Sequence, residues 1–385
     1  MLGFRNNPRF GPPAEADSLN VQKGGTMEIE RIHGGEPIIS PIGCSWQSLC
    51  TANSSAILLE RNSWSDGVLR PILGQVTLDD PRLKDGVVVS LYTGVGKMSE
   101  AQEKKQYKGL AFFTPAMDPV ARLPMPVLLP AEEAHAIDRQ GIEDVRLQLI
   151  DRTFHAWYCG FDGKDGGACL ARSEDLLHWT KTAPLRGNIN RTYNKDHVAF
   201  PEKHGGRWWM LHRPWGPEYP DVRNMVTRLA VSDDVAGPWQ DAGEILRGFE
   251  HPERKMWTGA GPAPIPLGGS RYLLIYHTGS FFKDGYRQYD AGAALLDLGR
   301  YTAKNPEAVV VSRLEPLMVP ETKWEKNADL RIDIVFPVGA FIHGKDLVLT
   351  YGAGDVFTCA ARLEFAQLVD ALEDSGLGNP YLAGS

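Results

Sequence analysis

The segment Gly141–Ile150, GIEDVRLQLI, sets Glu143, Asp144 and Arg146 into an otherwise apolar run. A carboxylate on a rigid element where strands converge is what an acid or base needs. A structural Asp144–Arg146 pair at a strand mouth accounts for the same residues equally well. Strand alternation sends Glu143 to one face and puts Asp144 and Arg146 together on the other. A second segment, NKDHVAFPEKHGGRWWMLHRP (194–214), carries Lys195, Asp196, His197, Glu202, His212 and Arg213, more ionisable groups than a sheet core tolerates. It reads as two strands joined by the turn His204-Gly205-Gly206. Lys195 suits an anion and Glu202 suits sugar hydroxyls. Arg213, at a strand end before a proline, offers a planar fork for phosphate or carboxylate oxygens. RYLLIYHTG ends on Tyr276 and His277 before a glycine, and QYDAGAALLDL contributes Tyr289. A lone histidine in that place is more often a satisfied structural residue. Several such residues at successive strand ends point instead to one convergent site.

The elements that must position them are strands. Runs such as VVVSLYTG, HAWYCGF, RWWMLHRP, AVVVSRL and DLVLTYGAG, broken by Gly, Asp, Asn and Pro, are the pattern of many short antiparallel strands. Helical periodicity stands out only in LEFAQLVDALED (363–374), whose apolar stripe needs a cover and so docks on the strands. LARSEDLLHW (170–179) and LAVSDDVAGPW (229–239) share Leu-Ala-x-Ser-x-Asp followed by a Trp, about 60 residues apart. Ser and Asp turn the chain at a strand end, and the Trp packs on the neighbouring unit. The length holds about five such units. The expectation is an all-β chain, a five-bladed β-propeller with a short C-terminal helix. Residues 1–30 read as a polar N-terminal extension and 31–385 as a single propeller domain. The Lys-rich, then Pro-rich stretch 94–130 reads as a loop insertion, either a solvated excursion or one that shapes a rim of the pocket.

A net charge of −7 argues against nucleic acid as a main partner, since backbone binding needs a basic surface. No apolar run is long enough for a membrane span and the N-terminus has no apolar signal core, so a cytoplasmic protein is expected. Five scattered cysteines without a CxxC pair predict buried free thiols, with neither a disulfide framework nor a metal site. The oligomeric state stays open, a homo-oligomer included.

GIEDVR, KDHVAFPEKHGG, LHRP, GAGPAPI, LLIYHTG, YDAGAALLDL, PETKWE, DIVFPVGA and YGAGD follow one another along the chain. That ordered set resembles glycoside hydrolase family 130, most clearly after Gly141. The resemblance implies a five-bladed propeller with its site in the central funnel. It implies an inverting phosphorylase that cleaves a β-linked mannoside with inorganic phosphate to give α-mannose 1-phosphate. Phosphate is a co-substrate, and no metal or organic cofactor is implied. Asp144 resembles the catalytic acid, whose proton reaches the leaving oxygen through a mannose hydroxyl. Lys195, Arg213, His277 and Tyr289 match positions of the phosphate-binding set. Asn53 and Ser54 resemble a sugar-contacting turn in the first blade, and Asp355 faces the funnel from the last. Glu143, Arg146, Asp196 and Glu202 complete the expected sugar-side set.

Three departures matter. Val145 stands where the family usually has Pro, and Lys195 where many phosphorylases have Arg. Asp290 stands where a basic residue is common, and a carboxylate there is unfavourable beside an anion if it points inward. These keep an inverting β-mannosidase as the alternative, with Glu202 or Glu250 as base and carboxyls about 6.5–9.5 Å apart. A non-catalytic carbohydrate-binding propeller is the alternative of another class, and an arabinanase-like enzyme a further one. Trp215, Tyr219 and Trp257 are candidates for stacking on acceptor rings, or for packing between blades.

Overall fold

A computed structural model describes residues 27–381. Five four-stranded antiparallel blades follow one another around a central axis. Blade I holds Ser55–Leu59, Val87–Gly96, Lys105–Phe113 and Pro119–Arg122. Blade II holds Gly141–Ile150, Thr153–Phe161, Gly166–Ser173 and Thr180–Thr182. Blade III holds Tyr193–Ala199, Trp208–Trp215, Thr227–Ser232 and Gln240–Leu246. Blade IV holds Arg254–Ala260, Arg271–Phe282, Arg287–Asp297 and Val310–Met318. Blade V takes Ile332–His343, Asp346–Ala353 and Phe357–Glu364 from the end of the chain and Glu30–Arg31 from its beginning. Most of the extension assigned to 1–30 lies outside the described residues; its last residue, Glu30, belongs to blade V.

Each blade is covered on both faces by its neighbours, so its middle strands read as continuous apolar runs rather than alternating ones. Val87–Gly96 is buried along almost its whole length. Apolar clusters fill the seams: one between blades I and II, one across II, III and IV, one between IV and V, and one closing V onto I. The repeated Ser-Asp turns do what the sequence suggests. Ser173 Oγ accepts the backbone N–H of Leu176, and Ser232 Oγ that of Asp234. Trp239, fully buried, meets Trp157 of blade II edge-on at 6.3 Å. Truncating a buried ring of this kind costs about 3–5 kcal/mol.

Two expectations need correction. The stretch 94–130 is not an inserted loop, because it holds the whole of the third and fourth strands of blade I. Its lysines disguised a strand: Lys108 is fully buried and donates to Thr93 Oγ1. Helix is also not confined to the C-terminus, since Ser63–Leu73 forms a helix between the first two strands of blade I. Gly67 and Pro71 weaken its pattern, but Asn62 caps Trp64 and Ser65 and Leu69 is fully buried. The C-terminal helix, Phe365–Asp374, buries Leu368 and Leu372 in the seam of blades IV and V. Cys159, Cys169 and Cys359 are buried thiols, whereas Cys44 is exposed.

Candidate active site

The innermost strands of blades II and III share one irregularity. In blade II, Glu143 faces Cys159 and Arg146 faces Trp157, so 144–145 oppose a single residue. In blade III, Lys195 faces Arg213 and Val198 faces Leu211, so 196–197 oppose His212 alone. Both are β-bulges. Asp144 and Asp196 take left-handed φ values of 47° and 53° there, a conformation Asp tolerates better than most residues. A bulge re-aims side chains, and strict alternation therefore fails. Glu143 and Asp144 both turn to Lys195, whose Nζ lies 2.8 Å from Glu143 Oε2 and 3.8 Å from Asp144 Oδ2.

Asp144 is also held from blade I. Asn53, with φ of 51°, donates from Nδ2 to Asp144 Oδ1 at 2.8 Å. Gly352 of blade V makes room, since a Cβ there would overlap Asn53 Oδ1. Ser54 does not join this turn: it is fully buried, and its hydroxyl bonds Ser90 inside blade I. It is withdrawn as a sugar contact.

Asp196 and Arg146 are likewise used by the protein itself. Arg146, 1% exposed, donates to Asp196 Oδ1 at 3.0 Å and to the carbonyls of Asp144, Ala260 and Gly261. This ties blades II, III and IV together and uses four of its five N–H donors within the protein. Asp196 Oδ2 accepts from Arg213 Nε at 2.6 Å. Burial alone would lift the Asp196 carboxyl, but the Arg213 and Arg146 charges outweigh it and hold the group well below the usual carboxylate range. Asp196 therefore anchors guanidiniums rather than substrate.

With its Nε so fixed, Arg213 stays charged although only 7% exposed. Among the described residues its Nη2 has no partner. His277, fully buried, has its Nε2 3.6 Å from Asp196 Oδ2, and neither ring nitrogen makes a hydrogen bond. Burial lowers its pKa to about 3; Asp196 opposes this and Arg213 and Arg146 add to it. His277 is thus a neutral imidazole rather than a cation. Gly259 lets it approach, because a Cβ there would overlap both Asp196 Oδ2 and His277 Cε1. Tyr289 packs its ring 5.9 Å from His277, with Trp257 and Phe336 beside it. For Lys195, burial works against the ammonium, but Glu143 and Asp144 prevail and raise its pKa.

Asp355, exposed at a turn of blade V, is pushed up to about 6 by the protein around it and by the Asp144 charge, an effect that water within the funnel partly screens. Glu202 lies elsewhere. It is exposed near the hairpin turn of blade III, at the end opposite Lys195 and Arg213, with Tyr272 as neighbour. Glu250 sits at the surface near Arg223. Neither is a funnel base. His212 is buried between Asn194 and Asp241, a structural role. Asp290 points to the opposite face of its sheet, bonded by Gln288 at 2.7 Å with Arg254 at 3.7 Å, so it does not repel an anion beside His277.

Two charged residues near the site were missed from the sequence. Lys108, behind Asp144, is lowered to about 8 by burial, with Asp144 and Glu143 opposing. Arg287 lies two residues before Tyr289 on the same strand face. Lys108 was hidden by its assignment to a loop; Arg287 could have been found by its spacing from Tyr289.

A family model described as β-1,4-mannooligosaccharide phosphorylase matches residues 100–374. The chain belongs to glycoside hydrolase family 130. It is 32% identical over 250 residues, 64% of its length and 75% of the other's, to a 1,2-β-oligomannan phosphorylase of Thermoanaerobacter sp. (strain X514). The solved structure of a β-1,2-mannobiose phosphorylase from Listeria innocua, with β-1,2-mannobiose, superposes with TM-score 0.66 at 20% identity, over 90% of this chain and 99% of that one. Another superposes with TM-score 0.64 at 19% identity, over 95% and 99%. It is described with the statement that this family of mannoside phosphorylases contains glycoside hydrolases that target β-1,2 mannosidic linkages in Candida mannan. Family membership and five-bladed fold agree. Among the described residues, no helix is long and apolar enough to cross a membrane.

Proposed function

We propose that this family 130 protein is an inverting β-mannoside phosphorylase acting on β-1,2-linked mannosides. One observation carries the reading. Arg213 is fixed through Nε on a permanently ionised Asp196, its Nη2 is free, and the unpartnered nitrogens of neutral His277 lie beside it. A buried guanidinium and imidazole so arranged call for a ligand with several acceptor oxygens. Phosphate supplies them, and a hydrolase has no need of the set. Lys195 and Tyr289 complete the anion side, and Asn53, Asp144 and Asp355 face the sugar. A phosphate oxygen attacks C1 from the face opposite the leaving group. The C1–O bond to the acceptor breaks as the C1–O bond to phosphate forms. The Asp144 proton reaches the leaving oxygen through a mannose hydroxyl, and the product is α-mannose 1-phosphate. Held reactants and prearranged charge supply much of the rate. The similarity to the 1,2-β-oligomannan phosphorylase supports the linkage.

A second reading, the inverting β-mannosidase, is favoured only by Asp355, a raised carboxyl that shares the funnel with Asp144. The test incubates the protein with β-1,2- and β-1,4-linked mannosides, with and without inorganic phosphate. Phosphate-dependent α-mannose 1-phosphate from the β-1,2 sugars is expected. Free mannose without phosphate would replace the phosphorylase with the hydrolase, and silence in both tubes would leave a binding propeller.

A further inference from the structure

A cleft of about 480 Å³ lies between blades II and III, walled by Lys164, Asp165, Arg191, Tyr193 and Glu218 among others. Tyr193 connects it to the candidate site. It stands two residues before Lys195 on the innermost strand of blade III, so both side chains leave the same face. The Tyr193 ring meets Trp215 edge-on at 5.2 Å, and the Lys195 ammonium lies 5.2 Å from the centre of that same indole. Trp215 therefore touches both the funnel's lysine and the cleft's tyrosine, and links the two places. Its Nε1 is buried without a hydrogen-bond partner, a costly state for an N–H unless something polar comes to meet it. On the cleft side the Tyr193 hydroxyl is tied to Asp165, which fixes the ring as a rigid wall.

The lining chemistry selects a ligand class. Lys164, Arg191 and Glu218 are exposed and of both signs, and Thr192 adds a hydroxyl. A small anion would meet Asp165 and Glu218 as well as the cations. An apolar ligand would leave all of them unpaired. A neutral polyhydroxylated chain can donate and accept at every one, with an aromatic wall for its C–H face. We propose that the cleft is a second carbohydrate subsite. It takes the acceptor-side units of an oligomannoside that leaves the funnel past Trp215, so that chains longer than a disaccharide are preferred. This rests on the reading of the funnel as a β-mannoside site.

The experiment titrates the protein, without phosphate, with β-1,2-mannobiose and β-1,2-mannotetraose by calorimetry, and repeats both titrations on the Arg191→Ala/Glu218→Ala double variant. The tetraose is expected to bind about 5–10-fold more tightly, a gain of roughly 1–1.4 kcal/mol. In the variant that ratio falls towards one. Both substitutions are at exposed positions and leave the fold intact, which the circular dichroism and melting temperature of the variant check. Equal affinity for the two sugars in the wild type, or a length preference that survives in the variant, overturns the subsite. A parallel incubation with phosphate separates the two claims. A length preference lost in the variant without any mannose 1-phosphate keeps the subsite and sinks phosphorolysis. Mannose 1-phosphate formed with no length preference does the reverse.

Discussion

Asp144 and Asp196 occupy the same bulged position on the innermost strands of neighbouring blades, with φ values of 47° and 53°. One backbone device serves two aspartates whose surroundings then divide them. Asp144 keeps 15% of its side chain open and takes a single amide from Asn53, whereas Asp196 is sealed between two guanidiniums. Only the first keeps side-chain surface open to the funnel.

Asp144→Asn keeps the Asn53 neighbour and removes the transferable proton. Turnover is expected to fall about 10²–10⁴-fold, the share that general acid catalysis commonly contributes. Circular dichroism and melting temperature should stay close to wild type. Steady-state assay of mannose 1-phosphate release checks this, and near-normal activity would remove Asp144 from the acid role.

Arg213→Ala has two consequences that can be read separately. Loss of charge-assisted hydrogen bonds to phosphate, about 1.5–3 kcal/mol, raises the phosphate KM by roughly 10–100-fold. Loss of a partner for buried Asp196 destabilises the fold, with about 3–5 kcal/mol as the ceiling because Arg146 remains. Phosphate-dependent kinetics and urea unfolding of the same variant measure both. An unchanged phosphate KM in a folded variant would count against the anion site.

Gly259→Ala tests whether His277 and Asp196 need that close approach. The added methyl must displace one of them, and overpacking of this kind costs about 1–3 kcal/mol. The expected outcome is a lower melting temperature together with a higher phosphate KM. A variant with wild-type values for both would show that the neighbours move freely.

The Asp290 carboxyl, raised by burial to about 6 from an ordinary 3.8, titrates away from the candidate site. Between those values the folded protein holds more protons than the unfolded chain, so stability falls as pH rises from about 4 to about 6 and stays reduced above it. For a carboxyl so fully buried the change is on the order of 3 kcal/mol. Asp290→Asn lacks this component. Unfolding free energies of wild type and variant from pH 4 to pH 8 should therefore diverge in the variant's favour as pH rises, and parallel curves would contradict it.

The strand repertoire and the Ser-Asp-Trp repeat could be read from the sequence because each follows from local chemistry. Alternation, apolar runs and turn residues need no knowledge of distant partners. Arg146, Asp196 and Ser54 were misassigned as sugar contacts for the opposite reason. Their side chains are engaged by Ala260, Gly261, Arg213 and Ser90, partners that the fold brings near. Glu202 was misassigned because a charged residue close to a motif in sequence can lie at the far end of its hairpin. The bulges at Asp144 and Asp196 leave no clear residue signature, so strict alternation misjudged the direction of Glu143. Lys108 was lost inside a run whose lysines looked like a solvated loop.

Asn53 and Asp355, at the two extremes of the candidate site, come from blades I and V, and Glu30–Arg31 must join the last blade to close the circle. No partial ring brings Asn53, Asp144, Arg213, His277 and Asp355 to one place. The full set is assembled only when the first blade and the last stand side by side.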